Sequence, residues 1–243
     1  MNSYLAEIRQ IVVPGADERH GPLPPLLLAL TLVTGLVDSF SYLVLGHVFV
    51  ANMTGNVILL GFALVGSPGF SVAASLAALG SFWVGAVIGG AFGSRLGEHR
   101  GRLLGTTALL QAVFVAGAVA VAALSGDPVS AGYRYPLIIV LGIAMGLQNA
   151  AARKLAVPDL TTTVLTMTIT GTAADSSIAG GKGSHAGRRL TSLVAMFVGA
   201  LVGAVLVIHS QIVAPLAIAL AVIVGVGVTA RATGRSTAPW VHP

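Results

Sequence analysis

The chain has no cysteine and very little charge. Without cysteine there are no disulfides, no thiolate metal sites and no cysteine nucleophile. Only 9% of the 243 residues are charged, against roughly 25% in an ordinary soluble domain. So few charges cannot cover a water-soluble globule of this length. Acids are the scarcer sign, at 8 against 13 Lys and Arg. The basic residues are scattered through short loops and form no patch, which argues against nucleic acid as a partner despite a pI near 10.2. No H-E-x-x-H, no G-x-S-x-G and no P-loop spacing occurs, and the Gly180–Gly183 run is a flexible basic loop. The chain is therefore expected to be no enzyme and to hold no metal and no cofactor.

What fills the chain instead is apolar. Hydrophobic residues make up 55%, glycine adds 31 small positions, and mean hydropathy is +0.91. Six stretches are long and apolar enough to span a bilayer. They run Pro25–Gly46, Val72–Gly93, Leu103–Leu124, Tyr135–Ala152, Leu190–His209 and Ile212–Ala230. Two further stretches, His47–Gly66 and Leu155–Asp175, are polar in their first half and helical in pattern in their second.

Charge separates six spans from eight. Eight spans with a cytoplasmic N-terminus leave 8 of the 13 basic residues inside. If the two polar stretches enter and leave by one face, 12 of 13 lie inside, with only Arg134 outside. A seven-span arrangement scores 10 of 13. The positive-inside rule selects six spans. Non-helical backbone at membrane depth must be shielded by protein or line a wet cavity, so the polar halves are expected inside.

The chain also echoes itself. Gly35-Leu36-Val37-Asp38 matches Gly146-Leu147-Gln148-Asn149 at 111 residues, and Val84–Gly89 matches Val198–Gly203 at 114 residues. Each half reads span, polar stretch, span, span. Three crossings per half invert the second half relative to the first. The expected fold is thus an all-α membrane protein of about six transmembrane helices and two re-entrant half-helices in an inverted internal repeat, an architecture found in transporters. Its parts are a cytoplasmic tail (1–24), a first repeat (25–124), a second repeat (135–230) and a cytoplasmic tail (231–243). In the N-terminal tail, Leu5, Ile8 and Val12 fall at helical spacing, suiting a surface helix or a disordered tail.

Asp38 is the most informative residue. It sits about eight residues, roughly 12 Å, from the outer end of its span, where an ionised Asp costs about 2.5–3.5 kcal/mol on insertion scales. Either it faces a cavity and functions there, or it fixes helix packing through hydrogen bonds. Its repeat partner Asn149 carries no charge. Asn52, Thr54, Gly55 and Asn56 sit where the first polar stretch should turn, with Val57–Val65 as a half-helix behind them. Such an N-terminus presents free N–H groups and about +0.5 charge. Thr163, Thr166 and Thr168 would play that part from the other face. Lining a site and merely capping helix ends both remain open for these groups. Gln148 joins them by its position next to Asn149. Asp159 reads as a turn residue, Asp175 as an ion-pair partner for Lys182, Arg188 or Arg189, and Gln111 as a hydrogen-bonding group between helices. Gly85, Gly89 and Gly93, with Gly199 and Gly203, form GxxxG spacings for close helix packing between the repeats; homodimerisation is the alternative use.

The motifs GLVD at Gly35–Asp38, FVANMTGN at Phe49–Asn56, Gln148-Asn149 and VPDLTTT at Val157–Thr163 resemble the YoaK-like family of bacterial integral membrane proteins, across roughly Leu26 to Ala230. The resemblance implies about six spans and a bacterial inner-membrane location, and it implies no assigned activity. One departure is that Thr166-Met167 stands where the family usually has a Thr-Gly pair echoing Thr54-Gly55. Taken together, the expected function is a small-solute or ion transporter with its site at the interface of the repeats. The alternatives are a channel or a non-transporting scaffold that interacts with lipid.

Overall fold

The structure is a computed structural model and describes residues 9, 11, 13, 19–126, 128–158, 160, 165–174, 180 and 186–242. Among them there are helices and no strands. Six helices are long and apolar enough to cross a membrane. They are α1 (Leu23–Val44), α3 (Val72–Leu96), α4 (Arg100–Ser125), α5 (Ala131–Leu155), α7 (Ala186–Ile208) and α8 (Ala214–Thr233). Two shorter ones, α2 (Met53–Leu64) and α6 (Leu165–Ala174), fall in the two polar stretches. The twelve residues of α2 rise only about 18 Å, well short of a hydrocarbon core about 30 Å thick.

Local chemistry sets the helix ends. Prolines occupy the first turns of α1 and α8, where the missing N–H has no intrahelical partner to lose. Ser71 caps α3 by accepting the Ala74 N–H at 3.2 Å, and His99 caps α4 through Nδ1, which accepts the Arg102 N–H at 3.1 Å. Arg153 and Lys154 close the last turn of α5, a position that suits the negative end of the helix dipole.

The half-helix expected from Val57 starts earlier, at Met53. Thr54, Gly55 and Asn56 therefore occupy its first turn and not the bend before it. Asn52 takes the N-cap position but makes no side-chain capping bond. The bend is held by a side chain of that first turn. The side-chain oxygen of Asn56 accepts the Phe49 N–H at 2.9 Å, and its amide donates back to the Phe49 carbonyl.

The spans pair through glycine. The most extensive contacts join α3 to α5 and α1 to α7, followed by α4 with α8, α4 with α5 and α1 with α8. A Cβ on Gly85 would overlap the Ile143 carbonyl of α5, and one on Gly146 would overlap the Phe82 carbonyl of α3. Likewise a Cβ on Gly199 would overlap the Leu32 carbonyl of α1, and one on Gly35 would overlap the Met196 carbonyl of α7. Gly89 lies against Leu147 and Ala150, and Gly203 against Leu36 and Ser39. The backbones meet because these residues have no side chain to hold them apart. The GxxxG faces are thus filled within the chain. Helices α1 and α5 are the most buried spans and α7 the least. The outer face of α7 presents Leu190, Val194, Phe197, Leu201, Val205 and Ile208, an apolar stripe suited to lipid.

Candidate functional site

Asp38 lies six residues before the end of α1, about 9 Å along the axis, and it is buried. One of its oxygens is fully used. Oδ1 accepts the Val50 N–H at 3.0 Å and the Ala51 N–H at 2.8 Å. Both amides belong to the extended segment that leads into α2, where neither a helix nor water would satisfy them. The carboxylate therefore anchors the entry to the short helix. Its other oxygen, Oδ2, is buried with no hydrogen-bond partner among the described residues.

Beside Asp38 is a cavity of about 310 Å³, walled by Asp38, Ser39 and Tyr42 of α1, Phe49 and Asn52 of the connecting segment, and Met196 of α7. Gly35 and Ala200 complete the contact between the two helices there. Tyr42 stacks on Phe49 with ring centroids 4.9 Å apart. Gly55 makes room for the same ring, since a Cβ on it would stand 2.8 Å from Phe49. Ser39 donates to the Leu36 carbonyl at 2.8 Å. Asp38 is the one acid in this wall. An unpaired carboxylate oxygen buried beside a mostly apolar cavity favours a proton, a cation or an amine as its partner.

The other expected site residues do not all converge here. Asn52 does. Gly55 and Asn56 support the wall from behind, through Phe49. Thr54 is exposed, as is Thr166 on α6. Thr163, like Asp159 and Asp175, lies outside the described residues, as does the side chain of Thr168. In the N-terminal tail, Leu5, Ile8 and Val12 are likewise outside them. Gln148 is buried elsewhere, where α1, α4 and α5 meet. Its Oε1 accepts Gln111 Nε2 at 2.7 Å, and its Nε2 donates to Thr34 Oγ1 at 2.9 Å and to the Leu30 carbonyl at 3.3 Å. Asn149 donates to the Met145 carbonyl one turn back, at 2.9 Å. Among the described residues no group of three His, Asp or Glu could hold a metal ion.

Sequence reasoning missed Ser39, Tyr42, Phe49 and Met196. Tyr42 was within reach, because it lies four residues after Asp38 and so shares its helix face. Met196 was not, since nothing local to α7 marks it as a neighbour of α1.

The chain is 38% identical over 144 residues to the UPF0700 transmembrane protein YoaK of Bacillus subtilis (strain 168). The match covers 59% of this chain and 63% of that relative, so the chain spans less than two thirds of the relative's length. No solved structure matches it. A family model described as "Protein of unknown function (DUF1275)" matches residues 26–229. Six apolar spans and a transmembrane relative make this a multi-pass membrane protein, and the chain belongs to that DUF1275 family, the YoaK-like group of membrane proteins.

Proposed function

We propose that the protein transports a small solute or ion through the cavity where α1, α7 and the segment leading into α2 meet. One observation carries the reading: Asp38 Oδ2 is buried at this cavity with no partner. Ionisable groups inside a membrane protein are costly and generally mark ion or substrate paths. The cavity also lies beside the start of α2, as expected for a site built on a broken helix. A volume of about 310 Å³ suits a small molecule or a hydrated ion. The reading is non-enzymatic, for Asp38 has no second acid beside it in the wall.

An inverted repeat supports the same conclusion. Exchanging α1 with α5, α3 with α7 and α4 with α8 turns the α3–α5 pairing into α7–α1 and α4–α5 into α8–α1. The glycine contacts exchange in the same way. Gly35 on Met196 corresponds to Gly146 on Phe82, and Gly199 on Leu32 to Gly85 on Ile143. The offsets are the 111 and 114 residues of the sequence echo. In this reading α2 and α6 are re-entrant from opposite faces, and the distribution of basic residues favours cytoplasmic termini in a bacterial inner membrane.

The two amide bonds on Asp38 Oδ1 favour a second reading, in which the residue only ties down the loop and the protein is a scaffold. Proteoliposomes separate the two. Under an imposed pH or potential gradient, currents on addition of Na⁺, K⁺ or small amines should appear with the wild type and vanish in Asp38→Asn. Absence of any current with the wild type across these probes and protons would reject transport of a cation or proton at Asp38.

A further inference from the structure

At the end of the bundle that carries the α3–α4 connection, a second cavity of about 730 Å³ opens between the start of α4 and the end of α8. Its wall brings together Arg102, Arg231 and Arg235 with His99 and His242. These residues come from two stretches of the chain more than a hundred positions apart. Thr106, Ser236 and Thr237 add hydroxyls, and no carboxylate of the described residues contributes to the wall. We propose that this cavity binds a phosphate oxyanion, and that its source in the membrane is the headgroup of an anionic phospholipid.

Three arginines in one wall repel one another, and no acid among the described residues of the wall cancels them. Arg102 and Arg235 have no side-chain hydrogen-bond or ion-pair partner among the described residues, while Arg231 reaches only Thr106 Oγ1, at 3.4 Å. The nearest acid in sequence, Glu98, meets His242 through its backbone carbonyl at 2.9 Å. Its own side chain is not part of the wall. Guanidinium groups left free in a concave site match the planar, multi-acceptor geometry of phosphate, which they bind through paired N–H bonds.

The backbone adds to the positive field. The wall includes the N-terminal turn of α4, whose dipole end is positive. The opposing negative end of α8 is muted, because Gly234, Arg235 and Ser236 donate their N–H groups to its last carbonyls. The architecture is rigid. Gly101 lies against Gly234, and Gly105 against the Arg231 stem, so closely that a Cβ on either would overlap its neighbour. His99 and His242 meet edge to face at 5.6 Å, which ties residues after α8 to the α3–α4 turn. The Arg231 stem is thereby held along α4 with its charged end at the rim.

The cavity sits where two spanning helices leave the apolar layer, at headgroup depth. Basic pockets of this kind between spans suit anionic headgroups. This inference stands apart from the transport reading, since Asp38 takes no part in it.

Native mass spectrometry of the detergent-solubilised full chain tests it with phosphatidylglycerol and phosphatidylcholine of identical acyl chains. A parallel thermal-shift series with inorganic phosphate examines the free ion. The wild type should retain phosphatidylglycerol over phosphatidylcholine by about tenfold or more, the loss expected for one charged hydrogen-bonding group. Arg102→Gln with Arg231→Gln should abolish the preference, while Arg134→Gln, outside this wall, should keep it. Stabilisation by inorganic phosphate that the double variant loses, with no lipid preference, would keep the oxyanion site and assign it to a soluble phosphate. Equal retention of both lipids with no phosphate effect would overturn the proposal, as would a preference unchanged in the double variant. Should that variant fail to fold, Arg235→Glu, on the exposed chain beyond α8, carries the same test with the same outcomes.

Discussion

Asp38 Oδ1 accepts the backbone N–H of Ala51 at 2.8 Å, thirteen residues along the chain. A side chain within a membrane span thus holds the entry to a helix too short to cross. The same carboxylate keeps its second oxygen unpartnered at a cavity. Anchoring and the proposed solute binding can therefore be separated by substitution.

Asp38→Asn keeps an oxygen that can accept both amides but removes the charge. Its thermal unfolding in detergent should stay close to wild type, while gradient-driven current in liposomes is lost. Asp38→Leu leaves both amides unpaired and should cost about 1–3 kcal/mol for each. Wild-type current from Asp38→Asn would reduce the residue to an anchor.

The glycine contacts give a paired expectation. Gly35→Val and Gly146→Val each drive a side chain into a backbone carbonyl of the facing helix, so each should destabilise by about 1–3 kcal/mol. Gly90, on the same helix as Gly85 but with nothing within 4 Å of a Cβ, is the control. Gly90→Ala should leave the unfolding temperature unchanged or slightly raised. Equal effects at Gly90 and Gly146 would contradict the packing described.

Gln111 and Gln148 form a pair at 2.7 Å inside the bundle. Single replacement of Gln148 by Leu should cost about 0.6–2 kcal/mol, the range for interhelical hydrogen bonds in membranes. The double Leu variant should lose less than the sum of the singles, because neither partner is then left stranded. Strict additivity in unfolding measurements would show that the bond contributes nothing.

Topology can be read directly, since the chain has no cysteine of its own. Pro68→Cys, in the exposed turn between α2 and α3, should react with a membrane-impermeant maleimide on intact cells. Glu98→Cys, in the exposed turn before α4, should react only after permeabilisation. Reaction of Pro68→Cys only after permeabilisation, with Glu98→Cys labelled on intact cells, would place α2 across the membrane and remove the re-entrant arrangement.

The six spans were legible because each is a long apolar run, and insertion into lipid is decided locally, segment by segment. The short helices were half legible. Their polar starts showed in the residue pattern, but Met53 became a helix start only because Asn56 and Asp38 hold the Phe49–Ala51 backbone. The glycine spacing announced close helix contacts without naming partners, for a bare helix face fits any other bare face. The sequence by itself determined that this chain lives in a bilayer, how many helices are long enough to cross it, and that an acid must be accommodated at depth. Only the tertiary structure decided that α7 lies on α1, that Met196 walls the cavity at Asp38, and that Arg102 and Arg231 share a pocket. The contacts of α7 with α1 and of α8 with α4 join residues more than a hundred positions apart. They follow from how backbones dock in three dimensions, and no local pattern encodes which helix will dock on which.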